Sequence, residues 1–294
     1  MYNKCIICGS SYKTLILNNL SMKKCLKCGL VWRGEFDISS NYYQAGYAEP
    51  DIKKEYARIL NSESRIKTFK KYVDLNNLCD LGTGEGIFLK ILSRNGYNNL
   101  IGIEPSEQTP SFCKKYNLDI KQGFLEDIKK YWNKDFHTIT MFHLIEHLKN
   151  PLKSLKMIHD ILQAGDSLVI ETPNINSHSI KKSNYKHSLI YPEHLYYFNE
   201  NNIINLLKNS GFKITAKGKR NFTQDNLGIK ECLNRLGLLH KTQKEDTSRQ
   251  SKQERTKPHI FHNNTITKKL IRIILNKTVI LLGRVDYIWV IAKK

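Results

Sequence analysis

The 294-residue sequence predicts an α/β fold built on a doubly wound, mostly parallel sheet. Three observations predict it. From residue 78 onward, short apolar runs alternate with segments of helical periodicity. The first of those runs ends in a glycine-rich turn, "CDLGTGEG", that opens a helix. Several helical segments also carry start and stop signals: Pro151 opens one, and Asn199 and Gly211 bracket another.

The elements follow in chain order. At the amino end, Cys5, Cys8, Cys25 and Cys28 form two Cys-x-x-Cys pairs with sixteen residues between them. Each pair is a tight knuckle that presents two sulfurs from one turn, and Gly9 and Gly29 follow where such a turn needs a positive φ. "SYKTLILNN" and "LVWRGEF" read as short ribbon strands beside the knuckles. Four thiolates complete a tetrahedron and leave no open position, so the expectation is one structural zinc ion. A Tyr-rich link, "NYYQAGYAEP", leads to a helix around "KKEYARILNSESRIKTFKKYV".

Beyond it, "NLCDLG" is a strand, "GIFLKILSRNG" a helix, "NLIGIEP" a strand and "SEQTPSFCKKYN" a helix. "LDIKQG" and "FHTITMF" are strands, "PLKSLKMIHDIL" a helix and "DSLVIETP" a strand. The helix "NENNIINLLKNSGF" precedes the last strands, "FKITAKGK" and "VDYIWVIAKK". The boundaries expected are 1–36 for the ribbon, 37–72 for the link and a helical cap, and 73–221 for the core. Residues 222–283 then form a basic helical insertion before the final core strand, 284–294. Within it, "HKTQKEDTSRQSKQERTKPH" is polar enough to stay mobile.

Composition narrows the function. A hydrophobic fraction of 40% and a net charge of +20 describe a soluble, basic protein. No apolar run approaches the ~20 residues of a membrane span, and "MYNKCIICGS" has no apolar core of a signal peptide. A cytoplasmic location follows, with reduced thiols. The basic excess is uneven: residues 1–30 hold five lysines and no acid, and residues 241–294 hold thirteen Lys and Arg against four acids. It has two readings: attraction of phosphate-bearing partners (nucleotide-linked substrates, nucleic acid or anionic lipid), or a lysine- and asparagine-rich composition with solvated faces. The apolar-basic stretch "ITKKLIRIILNKTVILLG" has two readings, a core-facing helix or peripheral contact with the inner face of a membrane.

The glycine turn excludes two phosphate-binding alternatives. Its spacing is Gly-x-Gly-x-Gly at Gly82, Gly84 and Gly86, with Ile87 where a dinucleotide fingerprint needs its last glycine. No Lys-Ser/Thr pair follows, so it is not a P-loop. The blocks "LCDLGTGEGIFL", "IGIEPS", "FHTITMFHLIEHLKNPLKSLKMIHDIL", "GDSLVIETPN" and "HLYYFNENNIINLLKNSGF" instead resemble, in order, the class I S-adenosylmethionine-dependent methyltransferases. The resemblance spans about residues 75–215, with "YIWVIAKK" as the final strand.

It implies a Rossmann-like sheet of about seven strands with the last antiparallel. It also implies a cofactor site: Glu104 on the ribose hydroxyls, Asp80 on the amino end of the methionine, and backbone passage at the three glycines. Phe124 stands where many relatives place an acid, so the adenine is expected against Phe124 and Leu125. Phe142 ends the strand beside the methionine portion.

"HLIEH" at residues 143–147 has the form of an inverted zinc-protease motif. Here His143 falls at a strand end and His147 beyond a turn, so the two do not share a helix face, and a third ligand would have to come from elsewhere. No catalytic zinc is expected. His147 is read as a loop-fixing residue or as a base near the methyl group. In "YPEHLYYF", Glu193 and His194 are adjacent on the side where substrates enter. A carboxylate beside an imidazole raises its pKa, which suits His194 to take a proton. The alternative is that His194 pins "LYYF" to the sheet.

The ribbon, the Tyr-rich link and this core together resemble bacterial sugar C-methyltransferases that act on nucleotide-linked deoxysugars. That resemblance implies methyl transfer to a small molecule, a sugar or saccharide precursor. Two alternatives stand beside it. One is an RNA methyltransferase, although "FHLI" replaces the Asn/Asp-Pro-Pro-aromatic tetrapeptide of base-amino methylases. The other is a non-catalytic zinc-ribbon binding module, against which the intact Asp80, Gly82, Gly84, Gly86 and Glu104 argue. The oligomeric state is left open.

Overall fold

The structure is a computed structural model and describes residues 3–34, 52–107, 116–133, 135–221 and 285–294. The Tyr-rich link, most of the helix expected at "SEQTPSFCKKYN" and the expected insertion lie outside the described residues.

The amino-terminal strands are β1 (Tyr12–Leu17), β2 (Leu20–Cys25) and β3 (Val31–Arg33). Strand β2, "LSMKKC", escapes sequence reading because its lysines mask the alternation. Next come α1 (Ile52–Phe69), β4 (Leu78–Leu81), α2 (Ile87–Arg94), β5 (Leu100–Glu104), β6 (Asp119–Gln122) and β7 (Thr138–Phe142). They are followed by α3 (Pro151–Ile161), β8 (Ser167–Pro173), β9 (Tyr196–Tyr197), α4 (Glu200–Asn209), β10 (Lys213–Arg220) and β11 (Tyr287–Lys293).

Among these, α3 starts with proline, and its Asn150 cap accepts from the Lys153 N–H at 3.1 Å. A reciprocal capping box between Asn199 and Asn202 opens α4, and Gly211 beyond its end has φ 98°.

The main sheet has the order β10-β11-β8-β7-β4-β5-β6. Strands β6, β5, β4, β7 and β8 run parallel, while β11 inserts antiparallel between β8 and β10. This is the expected seven-stranded sheet with an antiparallel last strand. Strands β4, β7 and β8 are buried along their whole length, as sheets covered on both faces require.

Alternation along each strand splits the core. Leu81, Ile103, Met141 and Ile170 pack toward α3 and α4, and Phe142, Val169 and Trp289 pack toward α1 and α2. Strand order reverses between β4 and β7, so the crevice at their carboxyl ends is the place for a ligand.

The ribbon is built into the core. Strand β9, from the "YPEHLYYF" segment, pairs with β3 as the fourth strand of the ribbon sheet. The Arg33 N–H donates to the Leu195 carbonyl at 2.9 Å, and the Asn202 amide donates to the Cys28 carbonyl at 2.7 Å. The ribbon sheet therefore extends past the boundary expected at residue 36, and it holds the segment that carries His194.

Candidate functional site

At the end of β4, Gly82, Gly84 and Gly86 have φ of 69°, 56° and 70°. These are left-handed conformations that glycine adopts without steric cost. A Cβ on Gly82 would also meet the Leu144 side chain at 3.2 Å. The backbone thus turns sharply at the switch point.

Glu104, at the end of β5, is buried, and its Oε2 accepts from the Gly84 N–H at 2.9 Å. Its Oε1 accepts from the Ser106 N–H at 3.2 Å. A carboxylate has about four acceptor sites, so it retains capacity for a pair of vicinal hydroxyls. Burial raises its pKa against the pull of the two N–H donors. Asp80 lies on the strand just before the turn and accepts from Thr140 Oγ1 at 2.6 Å. Burial lifts its pKa to about 6.

Beside the turn lies a cavity of about 810 Å³, lined by Gly82, Ile103, Phe124, Leu125, Leu144 and His147 among others. Its size suits a drug-sized ligand. Exposed Lys129, Lys149, Lys153 and Lys156 also border it. Phe124 and Leu125, the residues expected against an adenine ring, both border this cavity. Phe142 is placed differently. Its ring stacks on Phe69 at 5.7 Å and lies under the Arg65 guanidinium at 4.1 Å, on the α1 and α2 side of the sheet. Its side chain fills core there.

A charged cluster lies at the carboxyl ends of β7 and β8. Glu171, fully buried on β8, takes Arg65 at 2.6 Å on one oxygen and Arg220 at 3.1 Å on the other. His143 follows β7 with φ 55° and reaches Glu171 at 3.3 Å and Glu146 at 3.4 Å. Burial disfavours the His143 imidazolium, but these two carboxylates outweigh it and raise its pKa. Burial likewise opposes ionisation of Glu146, yet the neighbouring histidines bring its pKa down to about 2. Glu146, Glu171, Arg65 and Arg220 were not singled out from sequence. The available signal was a carboxylate inside the otherwise apolar run "SLVIETP".

The residues of the "HLIEH" stretch separate as expected. Ile145–His147 form a short 3₁₀ turn, with His143 in the charged cluster and His147 at the cavity. His147 Nδ1 lies 2.9 Å from the Glu193 carbonyl, and His194 Nδ1 lies 3.0 Å from the Leu189 carbonyl. The two rings are 4.8 Å apart, centroid to centroid.

Two points correct the reading of His194. The carboxylate facing its Nε2, at 3.9 Å, is that of Glu146, brought in from the turn after β7. Its pKa is also lowered, to about 4, because burial outweighs the pull of Glu146. His194 is therefore a neutral imidazole at physiological pH. It also pins its segment, through Leu189.

In the ribbon, the four cysteine sulfurs lie within 4.8 Å of one another. Two of the pairs across the knuckles are closer, Cys5 with Cys28 at 3.5 Å and Cys8 with Cys25 at 3.4 Å. Zinc–sulfur bonds of ~2.3 Å in a tetrahedron separate sulfurs by about 3.8 Å, so the set fits a zinc ion.

The methyltransferase domain family matches residues 45–217, more than half of the chain. The chain belongs to that family. It is 27% identical over 108 residues to the tRNA U34 carboxymethyltransferase of Helicobacter acinonychis (strain Sheeba), covering 34% of this chain and 41% of that protein. It is 26% identical over 134 residues to the mitochondrial ubiquinone biosynthesis O-methyltransferase of Dictyostelium discoideum, covering 37% of this chain and 42% of that protein. The chain thus spans less than half the length of these curated relatives.

Among solved structures, a SAM-dependent methyltransferase from Archaeoglobus fulgidus is similar in fold, with a TM-score of 0.52 and 20% identity over 83% of this chain and 98% of that one. The plantazolicin methyltransferase BamL, solved with SAH, has a TM-score of 0.51 and 16% identity over 83% of this chain and 86% of that one.

Proposed function

We propose that this S-adenosylmethionine-dependent methyltransferase moves a methyl group to a small anionic acceptor, a sugar or saccharide precursor linked to a nucleotide. The observation that carries the methyl-transfer reading is the buried Glu104 carboxylate tied to the Gly84 N–H at 2.9 Å, beside a cavity of about 810 Å³. Glu104 receives the ribose hydroxyls, Gly82, Gly84 and Gly86 let the backbone pass close to the cofactor, and Asp80 faces its amino end. Phe124 and Leu125 cover the adenine. When bound, the cofactor supplies a methyl group on a positively charged sulfur, open to in-line attack.

The chain's own residues position the acceptor and handle its proton. His147 and His194 present imidazoles at the carboxyl end of the sheet, and the Glu193 carbonyl orients the first of them. The lysines around the cavity support an acceptor bearing phosphate. The four cysteines hold one structural zinc ion, which keeps β9 and the His194 segment in place.

A second reading, methylation of RNA, is favoured by the tRNA-modifying relative and by the net charge of +20. Incubation with methyl-labelled S-adenosylmethionine and a panel of nucleotide sugars, glycans and tRNA separates the two. Label on a nucleotide sugar supports the proposal. Label on tRNA alone replaces it with the second reading, and label on none of the panel rejects this acceptor class.

A further inference from the structure

Glu146, His147 and His194 bring one ligand atom each to within 4.8 Å of one another, from two segments far apart in the chain. The Nδ1 atoms of both histidines face backbone carbonyls, Glu193 for His147 and Leu189 for His194. Donation to a carbonyl puts the proton on Nδ1 and the ring's lone pair on Nε2, and it fixes the plane of the ring. This is the outer-shell arrangement that metal-binding imidazoles require.

Glu146 is fully buried, and Thr172 Oγ1 donates to its Oε2 at 2.9 Å. Its other oxygen, Oε1, is also buried and makes no aligned hydrogen bond, although it lies 3.9 Å from His194 Nε2 and 3.4 Å from His143. With the His143 and His194 rings beside it and no aligned donor, this oxygen keeps acceptor capacity for a cation. Two ligands at ~2.1 Å in a tetrahedral site lie about 3.4 Å apart, so the Glu146 to His194 spacing of 3.9 Å has to close slightly and the spacings to His147, no more than 4.8 Å, by about 1.4 Å at most.

We propose that Glu146, His147 and His194 bind a divalent cation, with its remaining positions turned toward the cavity to take oxygen atoms of the acceptor. Two imidazoles and one carboxylate suit a first-row divalent ion such as Zn²⁺, Mn²⁺ or Fe²⁺. His147 borders the cavity directly, so the cation has a path to solvent and to substrate. Such an ion lowers the pKa of a hydroxyl bound to it. The existence of the site stands on geometry alone. Its role toward the acceptor rests on the methyl-transfer reading.

The test is titration of the full chain with Mn²⁺, following the free ion by electron paramagnetic resonance. Mn²⁺ is too hard to displace zinc from four thiolates, so the ribbon stays loaded. One saturable Mn²⁺ per chain is expected, with at least tenfold weaker binding in His147→Gln and in Glu146→Gln. His147 is half-buried at the edge of the cavity, and circular dichroism verifies that the variants keep the fold. No saturable binding in the wild type overturns the site, as does binding of wild-type strength in both variants. Calorimetry with S-adenosylmethionine in the presence of a chelator tests the methyl-transfer reading independently. Cofactor binding without Mn²⁺ binding removes only the cation, and Mn²⁺ binding without cofactor binding removes only the methyl-transfer reading.

Discussion

The cysteine cluster and the Glu146–His147–His194 cluster are both constellations of metal-ligating side chains, yet they are built in opposite ways. The cysteines come as two local pairs, each set by one knuckle, and a single ribbon sheet brings the pairs together. The second cluster joins a short turn after β7 to a loop nearly fifty residues later, and its carboxylate is held by Thr172 from a third element. A local cluster forms wherever its ribbon folds. A distributed one exists only when the sheet, the ribbon and the loop are all in place.

Breaking the local cluster should have the largest effect. Cys25→Ser should abolish stoichiometric zinc, because binding energies of structural zinc in small domains are about 10 kcal/mol or more. It should also lower turnover, since β3 and Arg33 would no longer hold β9 and Leu195. Elemental analysis and labelled-methyl transfer measure the two. Full turnover with the zinc lost would show that the clusters are independent.

Within the distributed cluster, His194→Asn should lower turnover by about 10²–10⁴ while the cofactor still binds. Asparagine can keep the hydrogen bond to the Leu189 carbonyl, so the segment stays pinned. The same variant sharpens a pH argument. His194 titrates near 4 in the fold against an ordinary 6.5, so the unfolded chain takes up the proton first as pH falls. Through His194 alone, acidification from about 6.5 to about 4 therefore costs about 3 kcal/mol, while Asp80, lifted to about 6 by burial, acts with the opposite sign in the same window.

The groups facing His194 are Glu146, His147 and His143. The raised pKa of His143 acts with the opposite sign, contributing stability that is lost as pH rises through its folded value. Urea unfolding across pH 4–6.5 should be flatter in His194→Asn than in the wild type.

Arg65→Met tests the neighbouring ion cluster. Removing one partner of a buried pair costs about 3–5 kcal/mol, and here Arg220 and His143 remain on Glu171, so the loss should fall at the low end. Thermal unfolding measures it. Stability equal to wild type would mean that Arg220 and His143 together neutralise Glu171.

How much was legible in the sequence follows the same division between local and distributed. The cysteine pairs, the glycine turn and Glu104 are readable because short-range geometry dictates them: i to i+3 knuckles, left-handed turns, and a carboxylate one strand later. The caps at Asn150 and Asn199 are readable for the same reason. The partner of Arg65 is 106 positions away, and nothing local to either residue announces the pairing. Sequence adjacency misassigned the carboxylate facing His194, because Glu146 arrives across the fold. Phe142 was expected at the cofactor on strand position alone, and the packing of its ring on Phe69 was not foreseen. Strand β2 was missed because a lysine-rich ribbon strand lacks the apolar pattern that marks strands of the main core.

The central claim is that the turn after β4 and Glu104 form an S-adenosylmethionine site, and calorimetry with that cofactor tests it most directly. The account predicts one site per wild-type chain. Glu104→Ala removes a charge-assisted acceptor and should weaken binding by about 1.5–3 kcal/mol, roughly ten- to a hundredfold. Gly84→Val should weaken it comparably, because valine is strained at φ 56° and crowds the approach. No binding to the wild-type chain, or unchanged affinity in both variants, would contradict the account.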